Sequence, residues 1–358
     1  MAAFDEGGIT NPPLADSYRT LLQRDELGGG FVPALRALAR ESLAMMERDL
    51  PMIDLKRLTS GDARERNVCM DAMATAASEW GFFQVTNHGM GRELLEEMRR
   101  EQARLFHQPF HTKEKAGLLN GSYRWGNPTA TSLRQLSWSE AFHVPLASIS
   151  KEDDDELAEL RSLSKVMQEV ADAMSRVADT VAETLAKNLG HESSTFLAAA
   201  GCDWTTCFLR LNRYPPCPFV PHTFGMVPHT DSDFLTVLCQ DQVGSLELMR
   251  DSHWVAMKPR ADALIVNVGD LFQAWSNNRY KSVEHRVVAN SKAERFSVAY
   301  FMCPSWDSPV GTCAEPSPYK PFTFGEYRCK VQDAVTRTGK KIGLPNFLKG
   351  CTVDSLTE

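Results

Sequence analysis

The sequence predicts a mixed fold in which helices surround a β-rich core of the barrel or jelly-roll type, after a helical N-terminal part. Two observations carry this prediction. Short β-type runs, separated by turn residues, follow one another at even spacing from residue 205 to about residue 302. Before them, residues 162–189 repeat apolar side chains at spacings of three and four, which is the pattern of an amphipathic helix.

The N-terminal part combines an irregular arm with short elements. Residues 1–48 are rich in Gly, Pro and charge, so we expect a flexible arm with one short helix near residues 33–47. A first strand is predicted at Leu50–Leu55, followed by a helix that runs to about Trp80. A buried strand is then predicted at Gly81–Gly89, where it ends in a turn.

A second helix is predicted from Arg92 to about Phe106, because charged and apolar residues alternate there at helical spacing. Residues 107–145 are irregular and are expected to be mostly loop with fragments of strand. Together with the elements before it, this stretch defines an N-terminal region at residues 49–160.

The clearest helix lies in the region 161–200 and ends near Gly190, a residue that suits the position after a helix C-terminus. We expect it to act as a scaffold behind a sheet. Its predicted apolar face consists of Val166, Val170, Met174, Val177, Val181, Leu185 and Leu189.

The β-rich core is predicted at residues 201–310, and a further helix near 325–339 lies in the C-terminal segment, 311–358. The expected strands of the core are Cys207–Leu211, Phe234–Gln240, Leu246–Met249, Trp254–Met257, Leu264–Val268, Ser282–Val288 and Phe296–Met302.

The composition restricts the classes of partner. The chain has 358 residues, of which 43% are hydrophobic and 24% charged, an ordinary globular profile. A net charge of −7 without a basic stripe argues against nucleic acid as a partner. No apolar run approaches the roughly 20 residues needed to span a membrane, and no secretory signal is found. Nine scattered cysteines without a Cys-x-x-Cys pair indicate free thiols, so a cytoplasmic location is expected.

A metal site is indicated by three residues. His229 and Asp231 are two apart beside an apolar β run, and residues two apart in a strand point to the same face. His285, on a later β run, is the candidate third ligand. Two histidines and a carboxylate on one face leave other coordination positions open, as an Fe(II) oxygenase requires for its co-substrate and O2. A His-x-Asp pair taken alone, however, is more commonly a surface turn.

A carboxylate-binding pocket is indicated at the start of a late strand. Arg295 and Ser297 share one face of that strand, and a guanidinium on an inner face requires an anion. Its planar fork can bind a carboxylate through two hydrogen bonds, while Ser297 and Tyr214 can add hydroxyl groups. Considered alone, Arg295 would more commonly form a salt bridge with a nearby Asp or Glu.

The joint pattern resembles the plant 2-oxoglutarate- and Fe(II)-dependent dioxygenases. Residues 205–305 are similar to the catalytic domain of that family, and Trp80–Gly89 is similar to its N-terminal motif. The resemblance implies a double-stranded β-helix, O2 as a second co-substrate, and ascorbate to keep the iron reduced. The residues it implicates in Fe(II) binding are His229, Asp231 and His285, and those for the distal carboxylate of 2-oxoglutarate are Arg295, Ser297 and Tyr214. Catalysis then depends on His229, Asp231, His285 and Arg295 as ligands and positioning groups.

Substrate contacts are predicted in the aromatic-rich segments of residues 120–143. Tyr123, Arg124 and Trp138 are the candidates, because a cation flanked by aromatic rings suits an apolar molecule that carries a carboxylate; core or lid packing of these rings is an equal alternative. The same segments resemble those of gibberellin 2-oxidases that act on C20 gibberellins. This resemblance implies 2β-hydroxylation of a diterpenoid carboxylic acid, which inactivates the hormone pathway.

Three alternatives remain at this point. The first is another plant oxygenase of the same superfamily, such as a gibberellin 20- or 3-oxidase or a flavonoid oxygenase. The second is an oxygenase of this fold that consumes ascorbate and a cyclic amino acid in place of 2-oxoglutarate. The third is a catalytically silent binding protein, which would have no need to keep three metal ligands. The sequence predicts no oligomeric state.

Overall fold

The computed structural model describes residues 10–27, 47–115, 118–127, 130–132, 135–149, 161–192, 196, 201–202, 204–219, 223–339 and 341–350. The helices in these ranges are α1 (Leu14–Leu27), α2 (Ala63–Glu79), α3 (Arg92–Phe106), α4 (Phe110–Lys113), α5 (Leu146–Ile149), α6 (Arg161–Asn188), α7 (Asp270–Trp275) and α8 (Phe324–Thr338). The strands are β1 (Met52–Asp54), β2 (Phe82–Thr86), β3 (Tyr123–Trp125), β4 (Glu140–Pro145), β5 (Phe208–Tyr214), β6 (Phe224–His229), β7 (Leu235–Gln240), β8 (Leu246–Arg250), β9 (His253–Ala256), β10 (Leu264–Val268), β11 (His285–Val288) and β12 (Arg295–Met302).

The strands form two sheets that pack face to face, which confirms the predicted jelly-roll core. The larger sheet has the order β1-β2-β10-β7-β12-β5-β4-β3, and the smaller one has the order β6-β11-β8-β9. Every neighbouring pair is antiparallel except β1 and β2. The sheets approach so closely at Gly225 that a Cβ there would lie 2.6 Å from the ring of Tyr214 on the opposite sheet.

The long scaffold helix is confirmed as α6, which packs against α2, α3 and the outer face of the larger sheet at β7 and β12. Its apolar face is buried because residues three and four apart lie on one side of a helix. Met167, Met174 and Leu185 are all fully enclosed there. None of the helices in the described ranges is both long and apolar enough to cross a membrane.

Part of the expected flexible arm is instead a packed helix. Leu14 and Tyr18 of α1 are four residues apart and therefore lie on one face, where they are buried against Leu136 and Trp138. The Tyr18 hydroxyl donates to the carbonyl oxygen of Ser137 at 3.1 Å. The arm prediction was wrong here because average composition concealed this short apolar stripe. The helix expected at 33–47 lies outside the described residues, apart from residue 47.

The core differs from its prediction at three points. The strand expected at Ser282–Val288 begins only at His285, and β6, which was not predicted, supplies its partner at Phe224–His229. A short helix, α7, which was also not predicted, follows Gly269. The other core strands agree with their predicted positions within a few residues.

A fully buried ionic cluster ties the N-terminal region to the larger sheet. Glu140 on β4 accepts hydrogen bonds from Lys113 at 2.6 Å and from Arg213 on β5 at 2.7 Å. The Tyr123 hydroxyl also donates to Glu140. Lys113 and Glu140 are both 0% exposed, so neither charge has a solvent alternative. This cluster fixes the strands whose opposite face carries the site described below.

We predict that Glu140→Ala destabilises the protein by about 3–5 kcal/mol, because it leaves the buried Lys113 without its carboxylate and leaves Arg213 with only the partly exposed Glu294. Chemical denaturation measures this change. Glu96→Ala is the matched control, since its ion pair with Arg92 is exposed on both sides and solvent screening should leave it little effect on stability. Equal losses for the two variants would mean that burial does not set the strength of the cluster.

Candidate active site

The three predicted metal ligands meet between the sheets. His229 ends β6, His285 begins β11, and the two residues are directly paired across these strands. The Oδ1 atom of Asp231 lies 3.6 Å from Nε2 of His229 and 3.8 Å from Nε2 of His285. The candidate ligand atoms of all three residues lie within 4.8 Å of one another, which is close enough for one metal ion.

The convergence has a different cause from the one expected. Asp231 does not share a strand with His229, because β6 ends at His229 and Asp231 lies in the turn that leads to β7. The strand pairing positions the histidines, whereas the turn positions the carboxylate. The expectation that His229 and Asp231 share one strand was therefore wrong, although the three residues do lie together.

Backbone carbonyl groups orient both imidazoles. Nδ1 of His229 lies 2.8 Å from the carbonyl oxygen of Val227, and Nδ1 of His285 lies 3.1 Å from that of Val283. A carbonyl oxygen only accepts, so each Nδ1 carries the proton and each Nε2 presents a lone pair to the site. Burial, with the neighbouring His285, lowers the pKa of His229 to about 3. The neutral form, which a metal requires, is therefore the resting form.

The larger sheet holds the carboxylate. Oδ2 of Asp231 accepts hydrogen bonds from Thr236 on β7 and Asn267 on β10, both at 2.7 Å. Burial by itself raises the pKa of Asp231, but the two imidazoles and these two donors outweigh it and hold the pKa at about 2. Because both donors bind Oδ2, Oδ1 stays free to face the histidines.

A second carboxyl group, Asp233, supports this arrangement. Its Oδ2 lies 2.8 Å from the Thr236 hydroxyl, which has only one proton to donate. Burial and the nearby charge of Asp231 raise the pKa of Asp233 well above its usual value, so Asp233 supplies a proton of its own to this chain of hydrogen bonds. The fit requires Gly269, where a Cβ would lie 2.1 Å from Asp233 Oδ1.

The residues of the predicted carboxylate pocket lie on the same inner face. Arg295 is 2% exposed, and its Nη2 donates to Oε1 of Gln240 at 2.7 Å. Within the described ranges its Nε and Nη1 have no partner, and no carboxylate pairs with it. The alternative of an internal salt bridge therefore finds no support there. A buried guanidinium with two unused donors is suited to bind a carboxylate ligand.

Ser297 and Tyr214 complete this pocket. Strands β5 and β12 pair Tyr214 with Arg295 and Asn212 with Ser297, so all four side chains share one face. The Arg295 guanidinium lies 4.9 Å from the centre of the Tyr214 ring. Asn212 donates to the Ser297 oxygen at 3.3 Å, which leaves the Ser297 proton available to a ligand.

The pocket lies at a suitable distance from the metal ligands. Gln240, which contacts Arg295, is four residues along β7 from Thr236, which contacts Asp231. At roughly 3.3 Å per residue this separation is about 13 Å between backbone positions, before the side chains reach inward. A short dicarboxylic acid can bridge that gap with one end at the metal ligands and the other at Arg295.

The predicted substrate residues do not converge. Tyr123 is buried on the opposite face of β3, where its hydroxyl binds Glu140. Trp138 packs beside Tyr18 and Phe219 under α1. Both rings are therefore packed in the interior, in agreement with the alternative of core packing. Arg124 lies on the inner-face side of β3, but its guanidinium is exposed and donates to the carbonyl oxygens of Gly121 and Tyr123.

Sequence reasoning missed four supporting polar residues: Thr236, Asn267, Gln240 and Asp233. A signal for two of them was present. Asn267 interrupts the apolar run Leu264–Val268, and Thr236 interrupts the run that begins at Leu235. Because a buried polar side chain requires a partner, a single polar residue inside an apolar strand indicates a site.

The comparisons with known protein families agree with this site. The model of the 2OG-Fe(II) oxygenase superfamily matches residues 205–304, and the model described as "non-haem dioxygenase in morphine synthesis N-terminal" matches residues 50–169. Both metal-ligand strands and the Arg295 pocket lie within the first match.

Several curated proteins are similar over most of the chain. Gibberellin 2-beta-dioxygenase 6 of Oryza sativa subsp. japonica is 70% identical over 360 residues, covering 99% of this chain and 100% of the relative. Gibberellin 2-beta-dioxygenase 8 of Arabidopsis thaliana is 52% identical, covering 84% of this chain and 88% of the relative. Gibberellin 20 oxidase 1-B of Triticum aestivum is 36% identical, covering 78% and 80%.

Solved structures share the fold. The crystal structure of JOX2 in complex with 2OG, Fe and JA superposes with a TM-score of 0.67 at 32% identity, covering 80% of this chain and 85% of that chain. The rice dioxygenase for auxin oxidation has a TM-score of 0.67 at 27% identity, covering 84% and 100%.

We predict that His229→Ala and His285→Ala each abolish turnover and lower the Fe(II) content of the purified protein, because only two ligands remain. Metal analysis and activity assays measure these losses, and circular dichroism checks that the fold persists. His253→Ala is the control, since that imidazole is exposed on β9. Activity like that of the unaltered protein in either ligand variant would contradict the site.

We predict that Arg295→Gln raises KM for 2-oxoglutarate by about 10- to 100-fold, because a hydrogen bond between charged groups contributes roughly 1.5–3 kcal/mol to the binding free energy. Iron content should not change. Arg295→Lys keeps the charge but loses the planar fork, so an intermediate KM is expected. An unchanged KM in both variants would place the distal carboxylate elsewhere.

Proposed function

The chain belongs to the 2OG-Fe(II) oxygenase superfamily, and from that premise we propose that it is a gibberellin 2-beta-dioxygenase. The observation that carries this proposal is the 70% identity, over 99% of the chain, to a protein of that name. Three further gibberellin 2-beta-dioxygenases are 43–52% identical, whereas the gibberellin 20 oxidase is 36% identical. Similarity thus decreases as the named reaction diverges.

The residues present fit the cofactor and co-substrate of this reaction. His229, Asp231 and His285 offer the donor set that Fe(II) takes in oxygenases, with the remaining coordination positions open. The unpaired Nε and Nη1 atoms of Arg295 fit a carboxylate of 2-oxoglutarate. When bound, Fe(II) and 2-oxoglutarate use O2 to form succinate and CO2 and to convert a substrate C–H bond into C–OH.

The protein itself supplies position rather than acid–base chemistry. The strand pairing of His229 with His285 and the donors to Asp231 fix the ligands before any metal arrives. Arg295 fixes one end of the co-substrate.

We further propose C20 gibberellins as the substrates, and therefore inactivation of hormone precursors as the biological role. The support is the likeness of residues 120–143 and of the segment around His229 to enzymes of that type. Ascorbate is the proposed reductant that keeps the iron ferrous. The proposed location is the cytosol, since the eight cysteines in the described ranges are all free thiols, as a reducing compartment maintains them.

The direct test supplies the Fe(II)-loaded protein separately with a C20 gibberellin, a C19 gibberellin, jasmonic acid and a flavanone. Mass spectrometry should find a gain of one oxygen atom on the C20 gibberellin, with succinate formed in equal amount, and NMR of the product should place the new hydroxyl group at C2 in the β configuration. Conversion of the flavanone or jasmonic acid alone would overturn the substrate assignment. Oxidation at C20 instead of C2 would favour a 20-oxidase.

A further inference from the structure

Three aromatic rings form a continuous ladder across the inner face of the larger sheet. His143 on β4 stacks on Phe208 of β5, with ring centres 3.8 Å apart and planes 24° apart. Phe208 stacks in turn on Phe301 of β12, at 4.4 Å and 9°. Phe301 is paired across the sheet with Thr236, whose hydroxyl holds Asp231. The ladder therefore runs from β4 across β5 to β12, beside the strand whose Thr236 holds Asp231.

Arg210 lies beside this ladder on the same face. Alternation along β5 places Arg210 with Phe208, Asn212 and Tyr214, and the last two line the co-substrate pocket. Strand pairing also sets Arg210 directly opposite His143. Arg210 thus stands between an aromatic surface and the pocket of Arg295, on the side that faces the metal ligands.

The Arg210 guanidinium is only partly used by the protein. Its Nε donates to Oδ1 of Asn212 at 2.8 Å, which orients the planar group. In the described part of the chain no carboxylate forms an ion pair with it. Burial lowers the pKa of Arg210, while Tyr214 and Asp231 oppose this effect. Arg210 is therefore a half-buried cation for which the described ranges supply no carboxylate partner, although it is more exposed than Arg295.

The surroundings of the ladder are positive but the ladder itself is neutral. Burial, together with the charges of Arg210, Arg328 and Arg124, lowers the pKa of His143 to about 4. The imidazole is therefore uncharged at neutral pH and behaves as an aromatic surface. An apolar ring system can lie on it without a cost in charge burial, and an acid group of the same molecule is attracted to the arginines.

We propose that Arg210 binds a carboxylate of the substrate while the apolar rings of that molecule lie on the ladder of His143, Phe208 and Phe301. This inference rests on the proposed function and names the residues that recognise its substrate class, a rigid apolar carboxylic acid. Arg210 is preferred over Arg124 because the Arg124 guanidinium is exposed and already donates to two carbonyl oxygens.

The spacing agrees with such a molecule. Arg210 on β5 pairs with Ala299 on β12, which pairs in turn with Leu238 on β7. Leu238 is two residues from Thr236 on the same strand. With strands about 4.8 Å apart and roughly 3.3 Å per residue, Arg210 and Thr236 are about 12 Å apart at the backbone. A fused-ring acid held at Arg210 therefore presents a C–H bond, and not its own carboxylate, to the metal site.

The test removes the positive charge of Arg210 by substitution and the negative charge of the substrate carboxylate by esterification. The Fe(II)-loaded protein and its Arg210→Gln variant are assayed with a C20 gibberellin and with the methyl ester of that gibberellin. We expect the variant to lose about 10- to 100-fold in kcat/KM for the free acid and to distinguish acid from ester by less than about 3-fold. KM for 2-oxoglutarate should stay within about 2-fold. Equilibrium dialysis of the Ni(II)-loaded, inactive protein with 2-oxoglutarate should show the same loss of acid binding.

Controls separate the possible failures. Arg92→Gln removes an exposed charge on α3 and should leave the preference for acid over ester unchanged. Wild-type protein that does not hydroxylate the gibberellin would refute the proposed function itself. If wild-type is active but Arg210→Gln keeps its preference for the acid, this inference is overturned. It is also overturned if the variant mainly raises KM for 2-oxoglutarate, or if Arg124→Gln alone loses the preference.

Discussion

The site depends above all on the two hydrogen bonds that Thr236 and Asn267 donate to Asp231. The histidines belong to the smaller sheet and the co-substrate pocket belongs to the larger one, so the metal must join two separate layers. Asp231 lies in the turn between β6 and β7, which connects those layers. By fixing this carboxylate to β7 and β10, the donors align both sheets on a single coordination point.

A second constraint is electrostatic. On the inner face of the larger sheet the buried Arg295 has no carboxylate partner among the described residues, although the opposite face pairs Lys113 and Arg213 with Glu140. The contrast shows that the chain can pair buried charges and that it leaves Arg295 open. Such unpaired groups lower the stability of the free protein, and ligand binding offsets that loss. Recognition of carboxylates is therefore built into the unliganded fold.

The sequence predicts features that depend on residues close together in the chain, and it does not predict contacts between distant residues. The shared face of Arg295 and Ser297 could be predicted because strand alternation within β12 decides it. The long helix α6 could be predicted because its apolar residues recur at spacings of three and four within one segment. The packing positions of Tyr123 and Trp138 could not be predicted, because a ring in an irregular stretch of sequence does not indicate which layer it packs against. Glu140 binds Lys113 across 27 positions and Arg213 across 73, and no local pattern encodes such pairs.

His229, Asp231 and His285 together offer one ferrous ion three ligands and leave open positions that a 2-oxo acid can chelate. Anaerobic titration of the Fe(II)-loaded protein with 2-oxoglutarate, followed by visible absorption, measures this chelation. We expect a charge-transfer band that saturates at one equivalent of 2-oxoglutarate per iron and that is absent without iron. Iron that binds fully but gives no such band at saturating 2-oxoglutarate would show that the 2-oxo acid does not chelate a metal held by these residues.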